Sequence, residues 1–310
     1  MEVIYGGVAD TIREGPYACA LGFFDGVHLG HQNLITALKD ISVDKNYKTM
    51  VFTFEKHPLA FLNKENAPML ITDNCAKTEI FEGLGVDLLY FSKVDQDFLH
   101  TQPEEFLNEI LIKKFDVKAI VAGFNFKFGF KGQGTSEYLL DYGKRKDLDI
   151  KIVEPIFYEG QLVSSTTIRS LIKQGDMEAV QKFMGRNFSI CGNVIHGKAR
   201  GRLMGIPTAN IIAKPGLILP KSGVYATKVR VENSDVSYIA ITNVGSNPTF
   251  GKNPITIETH IIDFSEDLYG RNIKIDFHYR IRDERAFNGP DDLASQVNKD
   301  KNYAVRYFNS

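Results

Sequence analysis

The 310 residues carry 37 Lys and Arg against 38 Asp and Glu, a net charge of -1, and 43% of them are hydrophobic. This balance excludes a disordered chain and leaves no global basic field to hold a nucleic acid, so any polyanion must be handled locally. Cys19, Cys75 and Cys191 are too few and too scattered for a disulfide framework or a zinc cluster.

The length suits two domains, each with its own core. Met1 to Gly7 lacks the basic and apolar regions of a leader, and no run approaches the ~18 apolar residues of a membrane span. A reducing cytoplasm is the expected home. Tyr17 to Phe24 reads as a buried strand, Asp25 and Gly26 as a turn, and Leu34, Ile35, Leu38 and Ile41 as the buried face of a helix. His28 and His31 then fall on the loop and first helical turn, beside N–H groups that have no intrahelical partner, which makes an anion site. Asp25, His28 and His31 would also serve as zinc ligands, although the glycines and the helix start suit phosphate better.

Lys48 to Phe54 is a second strand, broken by His57-Pro58. Thr72-Asp73 caps a helix bearing Ala76, Ile80 and Phe81, Gly83 and Gly85 end it, and Val86 to Phe91 returns to strand. Thr101 to Glu104 has capping-box spacing ahead of Phe106, Leu107, Ile110 and Leu111, and Ala119 to Phe126 is strand again. Strands alternating with helices predict a parallel, doubly wound sheet, with ligands at the carboxyl ends of its strands. Two further stretches stand out. Gly123 to Gly134 is glycine-rich, aromatic and basic, and fits a surface loop as well as a binding one. Ser164 to Arg169 crowds hydroxyls and an arginine at a helix start, either a plain cap or a phosphate clamp.

Near Met184-Gly185-Arg186 the helical period stops, which places a domain boundary between residues 184 and 185. From Phe188 the period is two: Ile273, Ile275, Phe277 and Tyr279 alternate with polar residues, and Gly223 to Val231 and Val236 to Thr242 are joined through Asn233-Ser234-Asp235. A small closed antiparallel barrel is expected, covered by a helix opening at Asp291-Asp292. His196 to Asn210 is a basic, glycine-rich loop whose Thr208 and Asn210 oxygens suit a hydrated magnesium ion beside phosphates. On Ile255 to Ile261, Glu258 and His260 share the face opposite the isoleucines, where Glu258 is either solvated or functional.

Taken together, Gly22-x-Phe24-Asp25-Gly26-Val27-His28-x-Gly30-His31 and Ser164-Ser165-Thr166-x-Ile168-Arg169 resemble the prokaryotic bifunctional riboflavin kinase/FAD synthetase family. Gly201-Arg202-x-x-Gly205-x-Pro207-Thr208-Ala209-Asn210, Asn243-x-Gly245-x-x-Pro248-Thr249-Phe250 and Glu258-x-His260-x-x-Asp263-Phe264 continue the likeness in the family's order. Met204 replaces a usual leucine, Lys56 a common proline, and Asn125 stands where the family has Asp or Asn.

The resemblance implies an α/β plus all-β chain. Residues 1–184 would be a Rossmann-like FMN adenylyltransferase domain, and residues 185–310 a riboflavin kinase barrel with a terminal helix. It implies His28, His31, Arg169 and Glu258 as catalytic residues. Gly22, Phe24, Asp25, Gly26, Gly30, Asn125, Ser164, Thr166, Gly197, Lys198, Gly201, Arg202 and Gly205 would bind ATP or its phosphates. His57, Pro58, Phe124, Phe128, Arg282 and Arg285 would bind flavin, and Thr208 and Asn210 would hold Mg²⁺. ATP, riboflavin and FMN are the implied partners, without nucleic acid or membrane. The barrel's edges leave a weak homo-oligomer open. The competing reading is another HxGH nucleotidyltransferase fused to a non-catalytic flavin-binding or regulatory barrel.

Overall fold

The computed structural model describes residues 1–7, 15–62, 67–196, 206–246 and 255–310. The chain divides into two compact units, residues 1–165 and 166–310.

In the first unit β1 (Glu2–Gly6), β2 (Tyr17–Leu21), β3 (Lys48–Phe54), β4 (Leu88–Ser92), β5 (Val117–Gly123) and β6 (Asp149–Val153) form a parallel sheet in the order β1-β4-β3-β2-β5-β6. The central strands are apolar on both faces because both are covered. Tyr17, Cys19 and Leu21 enter one core cluster, while Ala18 and Ala20 enter the other. The edge strands β1 and β6 are half exposed, so their sequences lack the apolar run that marks β2 to β5.

The connecting helices are α1 (Leu29–Lys45), α2 (Pro58–Leu62), α3 (Asn74–Gly83), α4 (Gln96–His100), α5 (Pro103–Glu105) and α6 (Ser136–Lys146). Asp73 caps α3 as its sequence predicts, accepting from the Ala76 amide at 2.9 Å. The capping box of α5 sits one residue later than expected, with the Glu105 carboxylate accepting from the Gln102 amide at 3.3 Å. Beyond α5 the chain is π-helical from Phe106 to Lys114, which still keeps Phe106, Leu107, Ile110 and Leu111 buried. A small hairpin, β7 (Phe157–Tyr158) with β8 (Gln161–Leu162), closes the unit. Successive strands lie to one side of β2 until β5 returns on the other, so the switch point lies between the carboxyl ends of β2 and β5.

α7 (Ser165–Gln174) begins on the last residue of the first unit, and its remainder belongs to the second unit with α8 (Met177–Met184). There β9 (Phe188–Ile195), β10 (Ala209–Ile212), β11 (Gly223–Val231), β12 (Ser237–Ser246), β13 (Ile255–Ile261) and β14 (Asn272–Arg282) close an antiparallel barrel in the order β10-β13-β12-β11-β14-β9. The hairpin expected at Asn233 is present, with Arg230 opposite Ser237 and Asn233 left-handed at φ 62°. The terminal helix α9 (Pro290–Asn309) packs Ala304, Val297 and Phe308 against Val224, Ala226 and Ile241. The two architectures are those the sequence predicts.

Candidate active sites

The loop from β2 to α1 lies at the switch point. Its backbone enters the left-handed region at Phe24 (φ 54°), Gly26 (φ 81°) and Val27 (φ 35°). For a β-branched residue such as Val27 that conformation is a clear outlier, and each such position costs on the order of 1–3 kcal/mol. Neighbouring segments hold it there. The Phe23 carbonyl accepts from the Thr53 hydroxyl at 3.0 Å and the Lys77 ammonium at 2.9 Å. The buried Asp25 carboxylate accepts from the Ile71 amide at 2.9 Å and the Thr72 amide at 3.1 Å, and the Asp25 carbonyl accepts from the Ser165 hydroxyl at 2.8 Å. The Gly26 amide donates to the Thr72 hydroxyl at 3.0 Å. Asp25 thus fixes the loop with the oxygens expected to serve phosphate or a metal. Among the described residues no group of three His, Cys, Asp or Glu could hold a metal ion.

His28 is the N-cap of α1, and its Nδ1 accepts from the His31 amide at 3.4 Å. The two imidazoles stack at 3.7 Å, and His31 rests edgewise on the buried Phe24 ring at 5.2 Å. Gly30 permits this fold-back, because a Cβ there would stand 3.1 Å from His28 Cε1. With Nδ1 accepting, a neutral His28 carries its proton on Nε2, which is then the donor nitrogen. The site is therefore a strained turn, a helix N-terminus and a pair of stacked histidines, all suited to a polyphosphate.

Across the switch point, β5 leads into Phe124 and Asn125, with the Phe124 carbonyl held by the Ser136 hydroxyl at 2.9 Å. Asn125 Oδ1 lies near Gly123, 3.6 Å from where a Cβ would stand. Beside Gly22 opens a cavity of about 700 Å³ lined by Phe52, Pro58, Phe106, Phe128 and Lys131. Of the expected flavin residues, Pro58 and Phe128 line this cavity. His57 stacks edgewise on Phe23 at 4.4 Å, and Phe124 is exposed. Ser164 precedes α7, Thr166 stands in its first turn, and Arg169 opens its second turn rather than its first, since the helix begins at Ser165.

Sequence reasoning missed Lys77. It is 1% exposed, and its Nζ sits 4.0 Å over the Phe23 ring. Burial lowers its pKa to about 8, while the charges of Asp25 and Asp73 pull it back up. Its signal was legible, because Lys77 sits at helical spacing with Ile80, Phe81 and Leu84, where a core side chain is due.

The barrel site is built on register. Asn210 of β10 and Asn243 of β12 both stand opposite Glu258 of β13, so the three form one row across three strands on one face. The Asn210 amide nitrogen donates to both the Thr208 carbonyl and its hydroxyl, each at 3.3 Å, which gathers Thr208 Oγ1 and the Asn210 side chain together. Two neutral hard oxygens suit a magnesium ion that keeps water and phosphate as its other ligands.

One residue pair further along β13, the buried His260 sets Nδ1 2.8 Å from the Pro207 carbonyl. A carbonyl only accepts, so Nδ1 carries the proton. Burial lowers the His260 pKa, as does Lys301, against Pro207 and Asp263. Sequence reasoning placed His260 on the Glu258 face but not as the anchor of the Pro207–Asn210 segment. A cavity of about 380 Å³ reaches along that segment, lined by Thr208, Asn210, Phe264, Asp267 and Tyr269.

Asn243 Nδ2 donates to Glu284 at 3.1 Å. Arg282 forms a fork with the buried Asp300 of α9, with its Nη2 2.8 Å from Oδ2, and Arg285 reaches Asp292 at 3.0 Å. Both expected flavin arginines thus face the terminal helix. Gly197, Lys198, Gly201, Arg202 and Gly205 lie outside the described residues.

These two sites coincide with two family matches. Residues 11–167 match the FAD synthetase family and residues 184–308 the riboflavin kinase family. A bifunctional riboflavin kinase/FMN adenylyltransferase of Bacillus subtilis (strain 168) is 40% identical over 299 residues, 94% of this chain and 92% of that protein. That of Escherichia coli (strain K12) is 31% identical over 304 residues, 97% of this chain and 96% of that protein. A crystal structure from Streptococcus pneumoniae, described as a macrolide-efflux protein, superposes with a TM-score of 0.88 at 30% identity, covering 98% of this chain and 99% of that one. No helix among the described residues is long and apolar enough to cross a membrane. With a histidine-bearing switch-point loop in one unit, a Glu258 row in the other and relatives matched nearly end to end, the chain belongs to the bifunctional riboflavin kinase/FMN adenylyltransferase family.

Proposed function

We propose that the chain makes FAD from riboflavin in two ATP-dependent steps at two separate sites, phosphorylation in residues 185–310 and adenylylation in residues 1–184. It acts in the cytoplasm on small molecules alone. The observation that carries the assignment is the row Asn210–Glu258–Asn243, which sets a carboxylate beside the oxygens of the Pro207–Asn210 segment.

In the first step the riboflavin 5′-hydroxyl attacks the γ-phosphorus of ATP. A phosphorus–oxygen bond forms to riboflavin, the bond to the β-phosphate oxygen breaks, and ADP leaves. Glu258 accepts the hydroxyl proton, because an alcohol is a poor nucleophile without a base. Thr208 and Asn210 would hold Mg²⁺, which would neutralise charge on the phosphates when bound. Gly197, Lys198, Gly201, Arg202 and Gly205 bind the phosphates, and Arg282 and Arg285 bind the flavin.

In the second step a phosphate oxygen of FMN attacks the α-phosphorus of ATP and pyrophosphate leaves. The nucleophile is already anionic, so the site needs alignment and charge stabilisation rather than a base. His28 and His31 donate to ATP phosphates at the start of α1, assisted by Gly22, Phe24, Asp25, Gly26 and Gly30 as the shaped backbone. Asn125, Ser164, Thr166 and Arg169 complete the phosphate contacts. The aromatic cavity beside Gly22 takes the isoalloxazine ring against Pro58 and Phe128, flanked by His57 and Phe124.

The test is to incubate the chain with riboflavin, ATP and Mg²⁺, separate the flavins by chromatography, and repeat from FMN. FMN and then FAD are expected from riboflavin, and FAD from FMN. Omitting Mg²⁺ in the presence of a chelator should stop phosphorylation. A chain that binds riboflavin without forming FMN would instead be an adenylyltransferase with a regulatory barrel.

A further inference from the structure

We propose that Lys77 is a positioning residue for adenylyl transfer, its buried ammonium holding the Phe23 carbonyl and so the left-handed turn that leads into His28 and His31. The proposal rests on the assignment of those histidines to the ATP phosphates. Three observations carry it. First, Lys77 is 1% exposed, and a lysine is almost never taken fully out of water without a specific partner. Second, its ammonium lies 2.9 Å from the Phe23 carbonyl and 4.0 Å over the Phe23 ring, so both ends of one residue are gripped at the position just before the backbone turns left-handed at Phe24. Third, the turn is strained at Phe24 and Val27, and such strain persists only where surrounding groups over-determine it.

Other restraints on this loop among the described residues include the hydroxyl of Thr53, the amides of Ile71 and Thr72 with the Thr72 side chain, the hydroxyl of Ser165, and the Gln32 side-chain amide, which donates to the Val27 carbonyl at 2.9 Å. Lys77 is the cation among these groups. The charged groups whose fields reach it are Asp25 on the loop and Asp73 at the cap of α3. Removing the ammonium would relax the turn and shift the two histidines, and a misplacement near 1 Å costs on the order of 100-fold in rate.

Deprotonation weakens the same grip reversibly, because it removes the charge from the bond to the Phe23 carbonyl and from over the Phe23 ring and leaves a neutral amine as a poorer donor. Burial lowers the Lys77 pKa to about 8, so the proton is held below that pH and lost above it. The phosphates of ATP and FMN, with a last pKa of about 6, undergo no titration near pH 8. Adenylyl transfer should therefore fall as pH rises through about 8, whereas riboflavin phosphorylation should not share that limb. Stability moves the other way. A lysine with a lowered folded pKa binds fewer protons in the folded state than in the unfolded one, so its contribution to stability increases as pH rises between the two values. Loss of activity on that limb is thus not loss of fold through this group.

The experiment uses the full chain and measures FAD formed from FMN and, in parallel, FMN formed from riboflavin, from pH 6.5 to 9.5. K77M is expected to lower kcat for adenylyl transfer roughly 10- to 100-fold, to leave riboflavin phosphorylation unchanged, and to lack the alkaline limb. A K77M kcat within twofold of the parent chain, or a K77M profile that keeps the limb, overturns the proposal. Should K77M lose both activities through misfolding, the parent profile decides: no fall above pH 8 overturns it, and a fall confined to adenylyl transfer upholds it. H31A separates the two levels. If H31A transfers at the parent rate, the histidine assignment fails and the proposal with it. If H31A is crippled while K77M is not, the role of Lys77 alone is lost.

Discussion

The switch-point loop and the barrel row, the two sites proposed to serve ATP, are built on opposite principles. In the barrel, Asn210, Glu258 and Asn243 are aligned by strand register, which the isoleucines on the other face of β13 enforce without backbone strain. In the loop, alignment comes from left-handed residues at Phe24 and Val27, held from other parts of the sequence by Thr53, Ile71–Thr72, Lys77 and Ser165. The contrast suits the chemistry proposed for each site. A base must meet one hydroxyl, and a strand delivers a single carboxylate to a fixed point. Two anions must be aligned along several oxygens, and a turn feeding a helix start offers many N–H donors at once.

The largest effect should come from the row. Glu258→Ala is expected to lower riboflavin phosphorylation roughly 10²–10⁴-fold, the range for a general base, while FMN adenylylation stays near the parent rate. Parallel flavin chromatography from the two starting substrates reads both. Equal loss of both activities would mean that the two sites are not separate.

Next comes the loop. His31→Ala should cost roughly 10²–10³ in adenylylation, as for loss of one transition-state donor, and spare the kinase. His31 also supports the stacked His28 ring at 3.7 Å. A loss confined to KM for ATP would place the histidine in ground-state binding only.

The third test asks whether the barrel site is as self-sufficient as its register suggests. Arg282 leaves β14 to form a fork with Asp300, which is 2% exposed and also accepts from Gln296 at 2.8 Å. Asp300→Ala strands a cation at that junction and should destabilise the second unit by about 3 kcal/mol. Phosphorylation should then fail at a lower denaturant concentration than adenylylation. Simultaneous failure of the two activities would show that the units unfold as one.

How much of this was legible differs between the two sites for the same reason. Strand alternation exposes Glu258 and His260 as face-mates in Ile255 to Ile261, so register could be read from period alone. The loop's glycines and histidines were equally visible, but not the role of Asp25, whose oxygens turn to Ile71 and Thr72 some 46 residues away. The burial of Lys77 was legible from its place within an apolar helical face, but its partner was not, because Phe23 is 54 residues distant. The edge strands Glu2–Gly6 and Asp149–Val153 escaped because half-exposed strands have no continuous apolar run.

The smallest effect is a matter of protons, and it sharpens the comparison by sign. In the barrel unit His260 and His278 both have lowered pKa values, chiefly through burial. A histidine whose folded pKa is depressed binds fewer protons folded than unfolded, so its contribution to stability is complete above about 6.5 and is lost as pH falls through the folded value. The second unit should therefore weaken on the acid side, whereas the Lys77 effect on adenylylation lies on the alkaline side. Kinase activity surviving a graded heat step at pH 5.5 and at pH 7, assayed afterwards at pH 7, measures the first. His260→Asn keeps a side-chain donor for Pro207 but cannot titrate, so its heat tolerance should depend less on pH than that of the parent chain. Its kinase rate at pH 7 should drop no more than about tenfold, since one neutral hydrogen bond is worth about 1 kcal/mol. An unchanged acid slope in that variant would assign the proton uptake to His278, which meets Asn187 at 3.2 Å and the Phe308 ring edgewise at 4.8 Å. The acid sensitivity would then belong to the seat of α9 rather than to the segment that holds Thr208 and Asn210.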